Sequence, residues 1–245
     1  MFRTDFIEET WENLTKKLSG SASHVEGLFR GFSEDEISSL LNAGQVRSER
    51  RGAFFYQEGD STQGIYLLTK GRVRMYQSTA GGHHALLRFM SPGEIFGFMA
   101  LLPISSHAVS AQVLEDSEAV YWNRSCAERF METNPKFVTN MFAVAIQRLD
   151  ELRERYVYLS TQPAERRIAW ALKGLSQRVR RKGMTQLAVP RAFGKKDLAD
   201  MAGTTIYTVS RVLSKWTRAG IIVNFRGEIL VEQPKELSQI AKALS

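Results

Sequence analysis

The spacing of apolar positions changes three times along the 245 residues. Phe6, Leu14 and Leu18, with charges between them, predict an amphipathic helix over 1–19, and Gly20-Ser21-Ala22-Ser23 predicts a break after it. Ser33-Glu34-Asp35-Glu36 followed by Ile37, Leu40 and Leu41 has the form of a capping box, so a second helix opens there and ends near Gly44. From Val46 to Asn123 the period shortens to that of strands, with β-rich runs at 54–57, 64–70, 72–78, 83–90, 108–113 and 118–122. Turn residues separate them at Glu58-Gly59-Asp60, Lys70-Gly71, Ala80-Gly81-Gly82 and Ser91-Pro92-Gly93. Many short strands at even spacing predict an antiparallel β-roll, or jelly roll.

Asn134-Pro135 opens a run without a helix breaker until Pro163. In it Val138, Phe142, Ala145, Leu149, Leu152, Tyr156 and Leu159 follow at spacings of 4, 3, 4, 3, 4 and 3, a heptad seam that predicts a long helix pairing with its twin in a homodimer. A helix lying along its own β domain carries a similar stripe, so both arrangements stay open. Asp150, Glu151, Arg153, Glu154 and Arg155 fall off the seam and suit a solvated flank. Ser160-Thr161-Gln162-Pro163 breaks the helix and has the composition of a hinge.

A helix over 164–181 and an extended piece over 187–190 come next, and then residues 195–213 show helix-turn-helix spacing. Ala199 is small where two helices cross closely, Gly203 can take positive φ at the turn, and Leu198, Val209 and Val212 can plug the space between the helices. Ile206, Val209, Leu213 and Trp216 form an apolar stripe, leaving Thr204, Tyr207, Thr208, Arg211 and Lys215 on the other side. Residues 220–231 read as two strands about a tight Arg226-Gly227 turn, a wing. The fold class is therefore α+β. Its expected parts are N-terminal helices and β-roll over 1–130, a long dimerisation helix over 131–162, and a winged helix-turn-helix over 163–245.

Charge sharpens this division. Residues 1–162 hold 17 Lys/Arg and 20 Asp/Glu, net −3, whereas residues 163–245 hold 16 and 6, net +10. A basic module on a mildly acidic one points to double-stranded DNA, because phosphate attraction drives non-specific affinity. Arg211 can give two parallel donors to guanine O6 and N7, and Thr205, Thr208 and Ser210 are short enough to reach phosphates or base edges, or else cap and decorate the helix. Lys195, Lys196, Thr204, Tyr207 and Lys215 complete the candidate contacts, and Arg226 either touches a flanking phosphate or is a solvated turn residue. No run approaches the roughly 18 apolar residues of a membrane span, and Asp5, Glu8, Glu9 and Glu12 stand where a signal peptide would be basic and then apolar, so a cytoplasmic location without membrane contact is expected. Cys126 is the one cysteine, too few for an intrachain disulfide, an iron–sulfur cluster or a structural zinc.

The order of parts resembles the CRP/FNR family of transcription regulators over residues 25–240. Pro92-Gly93-Glu94-Ile95-Phe96-Gly97 is similar to the turn before the family's phosphate-binding cassette, GIYLLTKG over 64–71 to its strand-and-turn signature, and Thr208-Val209-Ser210-Arg211 to its recognition helix. The resemblance implies a homodimer with a DNA-reading helix after Gly203, RNA polymerase as a partner, and control by an effector in the β-roll. It also implies an effector pocket near Phe96, Phe98, Met99, His107 and Ala108. Cyclic-nucleotide members carry a glutamate after the second glycine and an Arg-Ser or Arg-Thr pair further on; here those places hold Phe98 and His107-Ala108, which remove the ribose acceptor and the phosphate's cationic partner. Cyclic AMP is thus a poor match, and an apolar effector or a filled core fits better. Tyr207 replaces a glutamate that many members use to read a C·G pair, so the usual half-site is not implied.

Three alternatives remain beside the unknown small-molecule effector. One is a ligand-free β-roll on an always-active DNA-binding protein. Another is haem-dependent gas sensing through His24, His83, His84 or His107, although no cofactor is required by the pattern. The third, a metal-dependent cupin enzyme, is disfavoured because adjacent His83 and His84 point to opposite faces of a strand. The expectation is a regulator with no catalytic residues and no metal site.

Overall fold

A computed structural model describes residues 27–78, 84–178, 187–225 and 228–242. The expected helix at 1–19, the Ala80-Gly81-Gly82 turn, His24, His83 and Arg226 lie outside them. The chain forms two compact units, Met1–Asp150 and Glu151–Ser245.

In the first unit, helix α1 (Glu34–Ala43) opens on the expected capping box: Ser33 Oγ accepts from the Glu36 N–H at 3.2 Å and the Glu36 carboxylate accepts from the Ser33 N–H at 2.7 Å. The strands are β1 (Gln45–Glu49), β2 (Phe54–Tyr56), β3 (Gly64–Ser78), β4 (His84–Met90), β5 (Ile95–Phe96) and β6 (Ser110–Asn123). All pair antiparallel in the order β1-β6-β3-β4, with β2 on β6 and β5 on β3.

Two sequence expectations need correction. The Lys70-Gly71 turn does not end a strand; β3 runs through it, and the two runs over 108–113 and 118–122 are likewise one strand. Gly71 has φ +86°, and the β3–β6 register slips between Leu68 and Val73, so the glycine makes a bulge. A Cβ there would come within 2.1 Å of Ser117 Oγ. Beyond the bulge each half of the ladder finds its own neighbour, β1 on the 117–121 half of β6 and β4 on the 73–78 half of β3, which curls the sheet into a roll. Strands β1 and β5 and helix α2 (Arg124–Thr133) had not been anticipated. Their signal was local only for α2, where Asn123 caps the helix by accepting from the Cys126 N–H at 2.9 Å.

Two cores result. Tyr56, Leu68, Val73, Met90, Phe96 and Val113 fill one face of the sheet. The other face, with Leu67, Val120 and Trp122, packs against α1 and Phe137 of the long helix α3 (Pro135–Thr161). At ~1.5 Å per residue that helix is about 40 Å long. Buried Asn140 on it holds the preceding chain by donating to the carbonyls of Leu28 and Arg30.

The second unit holds the last turns of α3, helix α4 (Ala164–Arg178), β7 (Leu187–Val189), α5 (Lys195–Ala202), α6 (Ile206–Arg218), the hairpin β8 (Ile222–Phe225) and β9 (Glu228–Val231), and α7 (Pro234–Ala241). The sheet order is β7-β9-β8, with Ile222 opposite Val231. The helix break falls at Gln162-Pro163 as expected, and Arg167 spans it by donating to the Leu159 carbonyl at 3.3 Å. Arg155 donates to the Asp200 carbonyl at 3.0 Å and the Tyr158 hydroxyl to that of Ala241 at 2.9 Å, which ties the end of α3 to this unit.

Candidate nucleic-acid interface and sensor interior

Helix α5 starts where the Asp197 carboxylate folds back to accept from the Gly194 N–H at 2.8 Å, leaving Lys195 and Lys196 exposed on its first turn. It stops at Gly203, φ +55°, whose Cβ position lies 2.8 Å from Leu159 Cδ2. Both the left-handed backbone and the close approach require glycine. Thr205 caps α6, its Oγ1 accepting from the Thr208 N–H at 3.1 Å and lying 3.0 Å from the Thr208 hydroxyl. The two threonines that sequence offered to DNA are thus also the start of the helix.

Val209, Val212, Leu213 and Trp216 of α6 are buried, as are Leu198 and Ala199 on the crossing helix α5. Ile206 departs from the expected stripe: in the first turn of α6 it is 49% exposed, whereas Val209 one turn on is fully buried. Tyr207 is 77% exposed beside it. Arg211 is exposed, and its guanidinium has no hydrogen-bond or ion-pair partner among the described residues. Thr204 and Ser210 are half-buried. Lys215 is exposed but engaged, its ammonium 2.9 and 3.2 Å from the two carboxylate oxygens of Glu165. The structure thus gathers Tyr207, Ser210 and Arg211 on one helix.

In the β-roll the expected pocket residues do not converge. Phe96 is fully buried and stacks on Tyr66, with centroids 5.0 Å apart. His107, also buried, lies against Tyr56 at 3.7 Å between ring centroids, and Tyr56 in turn packs near Phe96 at 6.0 Å. Phe98 joins the other core, where the Arg148 guanidinium sits 4.5 Å from its centroid and donates to the Ile95 carbonyl. Met99 is half-buried and Ala108 exposed. Glu94 of the Pro-Gly-Glu turn is buried, paired with Arg88, and accepts from the Ser91 N–H at 2.5 Å, so it holds the turn.

Burial raises the Tyr56 phenol above its ordinary range and pushes Tyr66 up to about 12. Burial also lowers the His107 imidazole pKa, against a smaller opposing pull from Asp60. These groups stay neutral near pH 7. The described histidines fit haem poorly, since His107 is packed face to face on Tyr56 and His84 lies on an exposed strand 3.2 Å from the Ser78 hydroxyl. Among the described residues, no cluster of three His, Cys, Asp or Glu side chains is arranged to hold a metal, and no helix is long and apolar enough to cross a membrane.

Along α3 the expected seam is visible as side chains. Phe142, Ala145, Leu149, Leu152 and Tyr156 are exposed, with Phe142 at 66% and Tyr156 at 71%, and exposed Ile146 and Val157 widen the stripe. Val138 and Leu159 at its ends are half-buried.

Sequence reasoning missed Arg148, Tyr56, Tyr66 and Glu165. Arg148 reads as one more charge beside the heptad, and nothing local connects it to Phe98, 50 residues earlier.

A winged helix-turn-helix with an exposed arginine on its second helix, in a chain that also carries a β-roll and a long apolar-striped helix, is the arrangement of a DNA-binding regulator with a sensor domain. A cyclic nucleotide-binding domain model matches residues 46–134, and a Crp-like helix-turn-helix domain model matches residues 166–240. The chain is 32% identical to the cyclic AMP receptor protein of Thermus thermophilus over 218 residues, 89% of this chain and 98% of that protein. It is 27% identical to the nitrogen fixation regulation protein FixK of Bradyrhizobium diazoefficiens, over 84% of this chain and 90% of that one. Its fold resembles that of FixK2 from Bradyrhizobium japonicum with a TM-score of 0.73 at 24% identity, covering 82% of this chain and 99% of that one. The chain belongs to the CRP/FNR family of transcription regulators.

Proposed function

We propose that this chain acts in the cytoplasm as a homodimeric regulator that lays α6 of each protomer in the major groove of an operator with two-fold-related half-sites. The observation that carries the reading is the exposed Arg211 guanidinium, unpaired among the described residues, beside Tyr207 on a helix whose opposite face is fixed by Val209 and Trp216. Two such helices, about 34 Å apart, would read half-sites one helical turn apart. Lys195 and Lys196 supply phosphate contacts, and the wing follows the flanking backbone. The parts proposed are a sensor over 1–130, a dimerisation helix over 131–162 and a DNA-binding domain over 163–245. The second copy pairs along Phe142, Leu149, Leu152 and Tyr156, since an apolar stripe of this length is otherwise left in water. RNA polymerase is the partner that family membership suggests.

An effector acts by binding the two arrangements of the paired helices unequally. Arg148 offers the route, because it holds Phe98 and Ile95 of the β-roll from the position next to seam residue Leu149. Phe98 in place of a ribose acceptor argues against cyclic AMP as that effector. A second reading, a ligand-free roll on an always-active regulator, is favoured by the closely packed Phe96, Tyr56 and Tyr66 rings. Operator affinity before and after removal of small molecules by refolding separates the two: a fall supports an effector, no change a filled roll. Selection of bound DNA from random duplexes, followed by a footprint, tests the main reading. A two-fold-related site is expected, and no salt-sensitive retention by any duplex would overturn it.

A further inference from the structure

We propose that Glu165 is a specificity-determining residue of the DNA-binding surface, which withholds the Lys215 ammonium from backbone phosphates. The inference rests on the reading that α6 docks on duplex DNA.

Glu165 lies in the first turn of α4, 50 residues before the lysine it touches. Its Oε1 accepts from the indole Nε1 of Trp216 at 3.1 Å, and that indole is buried. The carboxylate is therefore held by a fixed donor whether or not a cation is present. Both of its oxygens then take the Lys215 ammonium, at 2.9 and 3.2 Å. Lys215 is the more exposed partner, its side chain 63% exposed against 37% for Glu165.

A lone ammonium on this helix would be free to neutralise a phosphate, adding affinity for any duplex and steepening the loss of binding with salt. An ammonium already paired brings little net charge to the backbone, and taking a phosphate would mean leaving the carboxylate behind. Arg211, one turn earlier on α6, has no such restraint among the described residues. Among the described residues the helix thus offers Arg211, unpaired and suited to base edges, Arg218 in its last turn, donating to the Ser214 carbonyl at 3.4 Å, and one cation, Lys215, that is masked. Masking lowers affinity for non-operator DNA without touching the contact that reads sequence, so it widens the gap between right and wrong sites.

The test is fluorescence anisotropy of operator and non-operator duplexes across a salt series, with wild-type protein, Glu165→Gln, Lys215→Met and the double variant. Glutamine keeps a carbonyl for the Trp216 indole and removes the charge that holds Lys215. Glu165→Gln is expected to steepen the log affinity against log salt slope by about 0.9 for each protomer. It should also tighten non-operator binding at low salt more than operator binding. Lys215→Met alone should leave the wild-type slope unchanged, and the double variant should return to it.

A shallower slope in Lys215→Met would show that Lys215 already engages phosphate in the wild type, and an unchanged slope in Glu165→Gln would show that no cation was released; either overturns the proposal. Should Glu165→Gln melt below the assay temperature by circular dichroism, the Lys215→Met slope still decides. Wild-type protein that binds no duplex overturns the regulator reading itself, whereas a binding wild type with an unaltered Glu165→Gln slope overturns the mask alone.

Discussion

The imidazole of His107 lies flat on the ring of Tyr56, with 3.7 Å between centroids and 8° between planes. The stack places a titratable ring in the interior of the β-roll, and burial keeps it neutral by lowering its pKa. The unfolded chain then takes up the proton before the native state does. The stabilising contribution is complete above pH about 6.5 and is lost as pH falls toward the lower folded value. Thermal unfolding should show a smaller drop between pH 7.5 and 5.5 in His107→Phe, which keeps an aromatic ring, than in wild type. Equal drops in the two proteins would exclude His107 as the source.

Arg148 links the long helix to β5 through the Ile95 carbonyl and to the turn after it through the Phe98 ring. Arg148→Ala should cost about 1–3 kcal/mol of stability in denaturant unfolding, from a charge-assisted hydrogen bond and a cation–π contact. Arg148→Lys retains charge without the planar fork and should recover only part of it. Full recovery by lysine would mean that charge alone matters at this position.

Leu149 and Leu152 are exposed on α3 and should be covered by a second copy. Sedimentation of Leu149→Asp/Leu152→Asp is expected to shift the protein from dimer to monomer, since burying two carboxylates across a seam is strongly unfavourable. Crosslinking through Leu152→Cys gives the complementary readout. A wild-type chain that sediments as a monomer at every concentration would rule the seam out.

Arg211→Ala should lose about 1–3 kcal/mol of discrimination at one base pair of the half-site, with little change elsewhere. Binding to a panel of single-base operator variants measures this. A uniform loss across the panel would mark Arg211 as a phosphate contact instead.

Phe98 has no group to accept a ribose hydroxyl, so cyclic AMP at millimolar concentration should leave the melting temperature of wild-type protein unchanged. A ligand-dependent rise would mean that the loop rearranges around the nucleotide.

What the sequence by itself determined are features fixed by interactions within a few residues. The Ser33/Glu36 capping box, the Gly203 turn with its Leu198, Val209 and Val212 plug, and the heptads of α3 depend on spacing along one helix or across one turn. Each therefore leaves a periodic trace. The exposed face of Arg211 was legible for the same reason, since helical period alone sets it opposite Val209.

Tertiary structure decided whatever depends on residues distant in the chain. Whether Gly71 turns the chain back or only bulges it was settled by Ser117, whose close approach and whose strand carry β3 onward. Ile206 fits the apolar stripe by period, yet it stays 49% exposed among the described residues while Val209, one turn on, is buried. Phe98 and Phe96, two residues apart, enter different cores because β5 ends between them. Arg148 over Phe98 and Glu165 beneath Lys215 are pairs 50 residues apart. Periodicity cannot bring such partners together; only the packing of helices and sheet against each other does.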